Sequence, residues 1–289
     1  VDEYGGPLVP TQLTLIGGYL GAGKTTLVNR MLRAAHKPFA VIVNDLGALP
    51  IDEALIETRS AAMVTLTNGC ACCQIGADLS LQVDRMASRG FDWLVVETSG
   101  VARLSRLMVQ LMQLPGIQVN SAMAVVDGLR IEQLLENRWV SEIVEDQLNA
   151  AQLIVATRAF PDWRFTGSLW HQRTKFLEAE GALPDWIWQT EKAQAVPSPK
   201  GSNKADFQHR AVTVNPSMDA SDLERFIVSN PQIQRVKGFA SLSGQRYLIQ
   251  SGLGYCRIEL SEAVGIDGVQ FIWTGSKAPA FEQITSPPE

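Results

Sequence analysis

Apolar residues in the first half of the chain fall into short runs with no polar face, and these alternate with segments in which apolar positions recur every three to four residues. The runs are Leu13 to Ile16, Phe39 to Val43, Trp93 to Val96, Ala122 to Val126 and Leu153 to Val155, while Thr25 to Ala35 and Ala77 to Ser88 carry the helical period. Runs that are apolar on both faces suit strands covered above and below. The alternation predicts an α/β fold, a mostly parallel sheet flanked by helices. Leu104, Leu107, Met108, Leu111 and Met112 share helical spacing, which gives the two methionines a packing role rather than thioether chemistry.

The pattern breaks at Ala193 to Phe207, where Pro, Ser, Gly and Lys replace periodic apolar residues, as in a connector. This predicts a first domain over residues 11–192, a linker over 193–207 and a second domain over 208–285. In the second, strand-like stretches at Arg210 to Val214, Val236 to Ser241, Tyr247 to Ile249, Gly254 to Leu260 and Val269 to Thr274 surround one helical segment, Ser221 to Val228. That order predicts a small α+β domain, with Asp219 or Ser221 capping its helix. Trp163, Trp170, Trp186 and Trp188 flank a stretch before the linker that reads as helical, and they suit core packing or, more sharply, a face that docks a partner.

Charge narrows the partners. Lys and Arg number 25 against 30 Asp and Glu, a net charge of −5, which disfavours nucleic acid as the main ligand. No stretch approaches the ~20 apolar residues of a membrane span, and the first fifteen residues lack the pattern of a secretory leader, so a cytoplasmic protein with no membrane partner is expected. Histidine is scarce, with His36, His171 and His209 isolated. Cys256 stands alone in a strand-like segment and reads as a small buried hydrophobe.

The most specific motif is Gly18-Tyr-Leu-Gly-Ala-Gly23-Lys24-Thr25, which matches G-x-x-x-x-G-K-[ST] in full between a strand-like run and a helix-period run. Gly18, Gly21 and Gly23 open backbone conformations closed to other residues, so that N–H groups, including those of Ala22 and Thr26, can turn inward around phosphate oxygens at a helix N-terminus. Lys24 would reach the β and γ phosphates, and the Thr25 hydroxyl would ligate Mg²⁺. Strand-like Trp93 to Val96 then runs into Glu97-Thr98-Ser99-Gly100. There Glu97 could hold the metal through a water, and the Gly100 N–H could sense the γ-phosphate. Asp45 and Asp52, after the second strand, lie where a switch loop would offer carboxylates to metal or water.

Asn68-Gly-Cys70-Ala-Cys72-Cys73 supplies a different chemistry. Residues two apart in extended chain share a face, and a following helix start favours thiolate, so Cys70, Cys72 and Cys73 can converge on Zn²⁺ or another soft divalent ion. The motif lacks a fourth ligand, which suits a metal held for transfer. A redox site and buried inert thiols are the other readings.

Together these residues resemble the CobW-like P-loop GTPases, many of which are metallochaperones. The likeness runs through Gly18 to Thr26, Asn44 to Gly47 with Asp52, Gly69 to Cys73, Glu97 to Gly100, Asp127 and, in the second domain, Arg235-Val-Lys-Gly-Phe239 as an opening strand. It implies that the cysteine box binds zinc or a related metal, and that GTP binding and hydrolysis drive its delivery to a client protein. One departure stands out. The family reads guanine with Asn-Lys-x-Asp, and here the corresponding residues are Thr157, Arg158, Ala159 and Phe160. Arg158 keeps a stem able to stack on a base, but Phe160 cannot accept the two N–H bonds of guanine, so weakened preference for GTP over ATP is expected.

A nucleoside triphosphatase coupled to metal transfer is therefore the leading expectation. Slow turnover is expected in isolation, because no arginine finger can be named and a homodimer or client would have to supply one. A metal-binding regulatory switch that hydrolyses little is the alternative. A small-molecule kinase would use the same loop but leaves the cysteines unexplained.

Overall fold

The computed structural model describes residues 10–35, 37, 39–44, 63–66, 74–160, 163, 165, 169–188, 207–252, 255–263 and 267–286. They form two compact units, with the described residues up to Trp188 in one and those from Phe207 in the other.

The first unit is built on a seven-stranded sheet: β1 (Thr11–Gly17), β2 (Ala40–Asn44), β3 (Met63–Leu66), β4 (Trp93–Glu97), β5 (Ile117–Asp127), β6 (Leu153–Thr157) and β7 (Thr174–Phe176). Every pairing is parallel, and the spatial order is β3-β2-β4-β1-β5-β6-β7. The helices are α1 (Lys24–Ala34), α2 (Gln74–Ala87), α3 (Leu104–Met112), α4 (Ile131–Glu136) and α5 (Ser141–Ala150). On one face, α1 packs Leu27, Val28 and Met31 onto Ile16, Val41, Val43, Val95, Met123, Val125 and Val155. Strand period two then fixes the polar ends. Glu97, Asp127 and Thr157 follow Val95, Val125 and Val155 by two residues, so all three emerge on the α1 face at the C-terminal ends of their strands.

The predicted stripe on α3 is observed, with Leu104, Leu107, Met108 and Leu111 buried and Met112 half-buried. The tryptophan-rich stretch departs from expectation. Among its described residues there is no α-helix; it forms 3-10 turns at Leu169–Arg173 and Asp185–Ile187 with β7 between them. Gly181, at φ +94°, and Pro184 break any helical period, and the sheet gains an edge strand instead. The chain from Leu177 onward then crosses under α1, where Arg30 donates to the Glu178 carbonyl at 2.5 Å and the Gly181 carbonyl at 3.2 Å. Trp188 packs edge-on to Trp93 at 5.7 Å, which supports the packing role for these tryptophans.

The second unit is antiparallel, with β8 (Phe207–Val212), β9 (Ile233–Leu242), β10 (Gln245–Gly252), β11 (Tyr255–Leu260) and β12 (Gly268–Thr274) in the order β11-β10-β9-β12-β8. Its helix α6 (Ala220–Ser229) buries Leu223, Phe226 and Ile227 against Phe271 and Phe281. Arg235 to Phe239 lie in β9, a central strand that follows β8, not an opening one. Asp219 sits at the N-cap of α6, but its carboxylate accepts from Ser243 Oγ at 2.6 Å rather than from a helix N–H. Cys256 lies half-buried on β11, and burial pushes its thiol pKa up. No helix among the described residues is long and apolar enough to cross a membrane.

Because Met31 is fully buried between α1 and the sheet, Met31→Ala is expected to cost about 2–5 kcal/mol of unfolding free energy. Urea denaturation followed by circular dichroism measures this, and an unchanged midpoint would contradict the packing described.

Candidate functional site

The turn after β1 rises between the C-terminal ends of β4, β5 and β6. Gly18, at φ +133°, lies so close to β5 that a Cβ there would stand 2.2 Å from the Val125 carbonyl oxygen. Gly23 caps α1 in the left-handed region at φ +104°, which leaves Ala22, Lys24, Thr25 and Thr26 around the positive end of the helix. Lys24 is buried, and its Nζ donates to the Gly18 carbonyl at 2.9 Å, closing the loop on itself. Gly21 supports the turn at φ +77°.

Glu97 arrives from β4. The Thr25 hydroxyl donates to its Oε1 at 2.7 Å, and Glu97 is 5% exposed. One hydroxyl and one carboxylate held together beside a lysine form an oxygen donor set suited to Mg²⁺, which prefers such hard ligands and keeps several waters. The β4 end is fixed through Thr98, whose N–H donates to the Ile16 carbonyl at 2.9 Å. Gly100 then packs on the phosphate loop so tightly that a Cβ would meet the Leu20 nitrogen at 2.8 Å.

From the other side, the single O–H of Thr157 is shared between the Ala22 carbonyl at 3.0 Å and the Val126 carbonyl at 3.1 Å. Arg158, in the left-handed region at φ +48°, donates through Nη2 to the Gly21 carbonyl and through Nε to Asp127 Oδ2 at 2.9 Å. Asp127 also faces Arg130 Nε at 3.6 Å and accepts from the Leu129 N–H at 3.1 Å. The expected box is thus brought to the phosphate loop, with Phe160 beyond it and 72% exposed.

Three features had no local signal in the sequence. The Arg158–Asp127–Arg130 cluster depends on β5 and β6 being neighbours. Gln147 of α5 donates to the carbonyls of Gly100 at 3.2 Å and Ala102 at 2.9 Å, while Asp146 accepts from the Ser105 hydroxyl at 2.5 Å, so α5 latches the loop that follows Glu97. Tyr19 turns into the protein, where burial pushes its phenol pKa far above the usual range and keeps it neutral. Asp45, Asp52, Cys70, Cys72 and Cys73 lie outside the described residues. Among the described residues no three His, Cys, Asp or Glu side chains cluster to hold a metal ion.

Residues 12–159, just over half of the 289-residue chain, match the family model for the CobW/HypB/UreG nucleotide-binding domain. The chain belongs to this family. It is similar to the zinc chaperone CobW of Pseudomonas aeruginosa, with 32% identity over 53% of this chain and 50% of that protein. It is also similar to two Escherichia coli zinc chaperones, YeiR with 31% identity over 62% and 52% of the two chains, and YjiA with 41% over 32% and 31%. The chain thus spans about half the length, or less, of these relatives.

The close approach at Gly100 yields a direct test. Gly100→Ala forces the Leu20 backbone to move, at an expected cost of about 1–3 kcal/mol. Hydrogen exchange should show faster exchange at the amides of residues 18–25 in the variant, and unchanged protection there would contradict this contact.

Proposed function

We propose that this member of the CobW/HypB/UreG family binds a nucleoside triphosphate with Mg²⁺, hydrolyses it, and couples the cycle to binding zinc or a related metal and passing it to a client protein. The observation that carries the reading is the Thr25–Glu97 pair at 2.7 Å beside buried Lys24, on a complete phosphate loop. A helix N-terminus and a lysine suit the charge of a triphosphate, for which the Ala22 N–H would have to leave the Tyr19 carbonyl.

In this reading Lys24 leaves the Gly18 carbonyl for the β and γ phosphate oxygens. Thr25 and Glu97 would hold Mg²⁺, which when bound supplies charge neutralisation at the terminal phosphates. The Gly100 N–H senses the γ-phosphate, and Gln147 and Asp146 carry any displacement of that loop to α5. Glu97, Asp45 and Asp52 are the proposed ordering groups for the attacking water. The transferred metal is cargo, for which Cys70, Cys72 and Cys73 are the proposed ligands, supported by their thiolate chemistry and by the zinc chaperones among the relatives. The turn at Arg158 to Phe160 offers no carboxylate in place of the family's base-reading Asp, which supports relaxed choice between GTP and ATP.

Lys24→Ala should reduce hydrolysis, measured as phosphate release, by at least ~100-fold; an unchanged rate would sink the enzymatic reading. Replacing Cys70, Cys72 and Cys73 with serine should abolish stoichiometric zinc binding in equilibrium dialysis, and retained zinc would remove the cysteines from the proposal. Single-turnover hydrolysis with and without zinc separates the enzyme from a switch, since a switch would leave the triphosphate intact in both.

A further inference from the structure

We propose that Phe160 is the surface on which the nucleobase stacks, so that the chain selects nucleotides by their phosphates and the flat face of the base rather than by a guanine hydrogen-bonding edge. The inference rests on the nucleotide-binding reading above and names how that site takes its base.

The direction of the ligand follows from the two flanks of the phosphate loop. The Thr25–Glu97 pair, suited to the metal and terminal phosphates, stands on the β4 side. Thr157 and Arg158 touch Ala22 and Gly21 from the β6 side. The strand order places β4 and β5 on opposite sides of β1, with β6 beyond β5. A triphosphate whose last phosphate lies at the metal end must leave its nucleoside at the other, over the turns that follow β5 and β6.

Those two turns touch. A Cβ on Gly128 would stand 2.4 Å from Ala159 Cβ, and the Gly128 N–H donates to the Thr157 carbonyl at 2.9 Å. The next residue of each turn is a large exposed hydrophobe, Leu129 at 65% and Phe160 at 72%. Exposed apolar side chains on two touching turns beside the phosphate loop suit the face of a planar base.

The polar groups nearby are already committed. Asp127 receives Arg158 Nε and the Leu129 N–H, faces Arg130 and has a side chain only 8% exposed, so it offers a base little carboxylate surface. Arg158 is anchored at Asp127 and Gly21, and its side chain remains 48% exposed. What is left facing outward is a ring, and every base has a face that stacks on a ring.

The test uses the full chain and three probes with Mg²⁺ in calorimetric titrations: GTP, ATP and inorganic tripolyphosphate. Phe160→Ala should weaken GTP and ATP by similar factors, about 5- to 150-fold, the span given by one base on one aromatic ring, and leave tripolyphosphate unchanged. Phe160→Trp should bind both nucleotides at least as well as the parent. Unchanged nucleotide affinity in Phe160→Ala overturns the proposal, and so does an equal loss of tripolyphosphate, which would mark Phe160 as structural. A preference of ~100-fold or more for GTP over ATP in the parent also overturns it, since a stacking face alone does not tell the two bases apart. If the parent binds none of the three probes, the nucleotide-binding reading itself has failed.

Discussion

Backbone-to-backbone contact at the phosphate loop is the constraint on which the rest of the first unit depends. Gly18 lies against the Val125 carbonyl, Gly100 lies against Leu20, and Thr157 and Arg158 donate to the carbonyls of Ala22 and Gly21. Three strands therefore end on one loop, and neither glycine can gain a side chain without moving main chain. The loop's carbonyls at Gly18, Gly21 and Ala22 are satisfied by Lys24 and by the residues that end β6, while the Ala22 N–H donates to the Tyr19 carbonyl at 3.1 Å within the turn.

Electrostatics follow from this packing. A buried carboxylate and a buried lysine would each be costly alone, but Glu97 accepts from Thr25 and Lys24 donates to Gly18, so both are held at the mouth of one loop. Asp127, at the end of β5, stands between Arg130 of the turn that follows it and Arg158 from the end of β6, and serves as their anchor. The two acids lie at the ends of parallel strands, yet one is tied to the hydroxyl of α1 and the other to guanidinium groups. Their neighbours give them different work.

Much of this was legible in the sequence because the signals were periodic or carried by fixed spacing. Runs apolar on both faces gave β1, β2, β4 and β6 within two residues and the C-terminal half of β5, which starts five residues earlier at Ile117, and the glycine spacing located the loop and its helix. What escaped was tertiary. β3 and β7 are short edge strands whose residues look like loop until a neighbour pairs with them, and α4 and α5 have short amphipathic patterns that the strand signals overshadowed. The grip of Arg158 on Asp127 spans 31 residues and exists only because β6 lies beside β5. Gln147 is a buried polar residue on a helix, which nothing local distinguishes from an exposed one.

The strand order also has a consequence for synthesis. β1 is made before the six other described strands of its sheet, yet it occupies the middle of that sheet, flanked by β4 and β5. Thr157 meets Ala22 across 135 residues and Arg158 meets Gly21 across 137. A chain emerging from the ribosome therefore carries its phosphate loop long before the residues that fasten it. Distant closure of this kind slows folding and leaves β1 exposed meanwhile. The fastening of the loop is therefore complete only once β6 and the turn after it have been made.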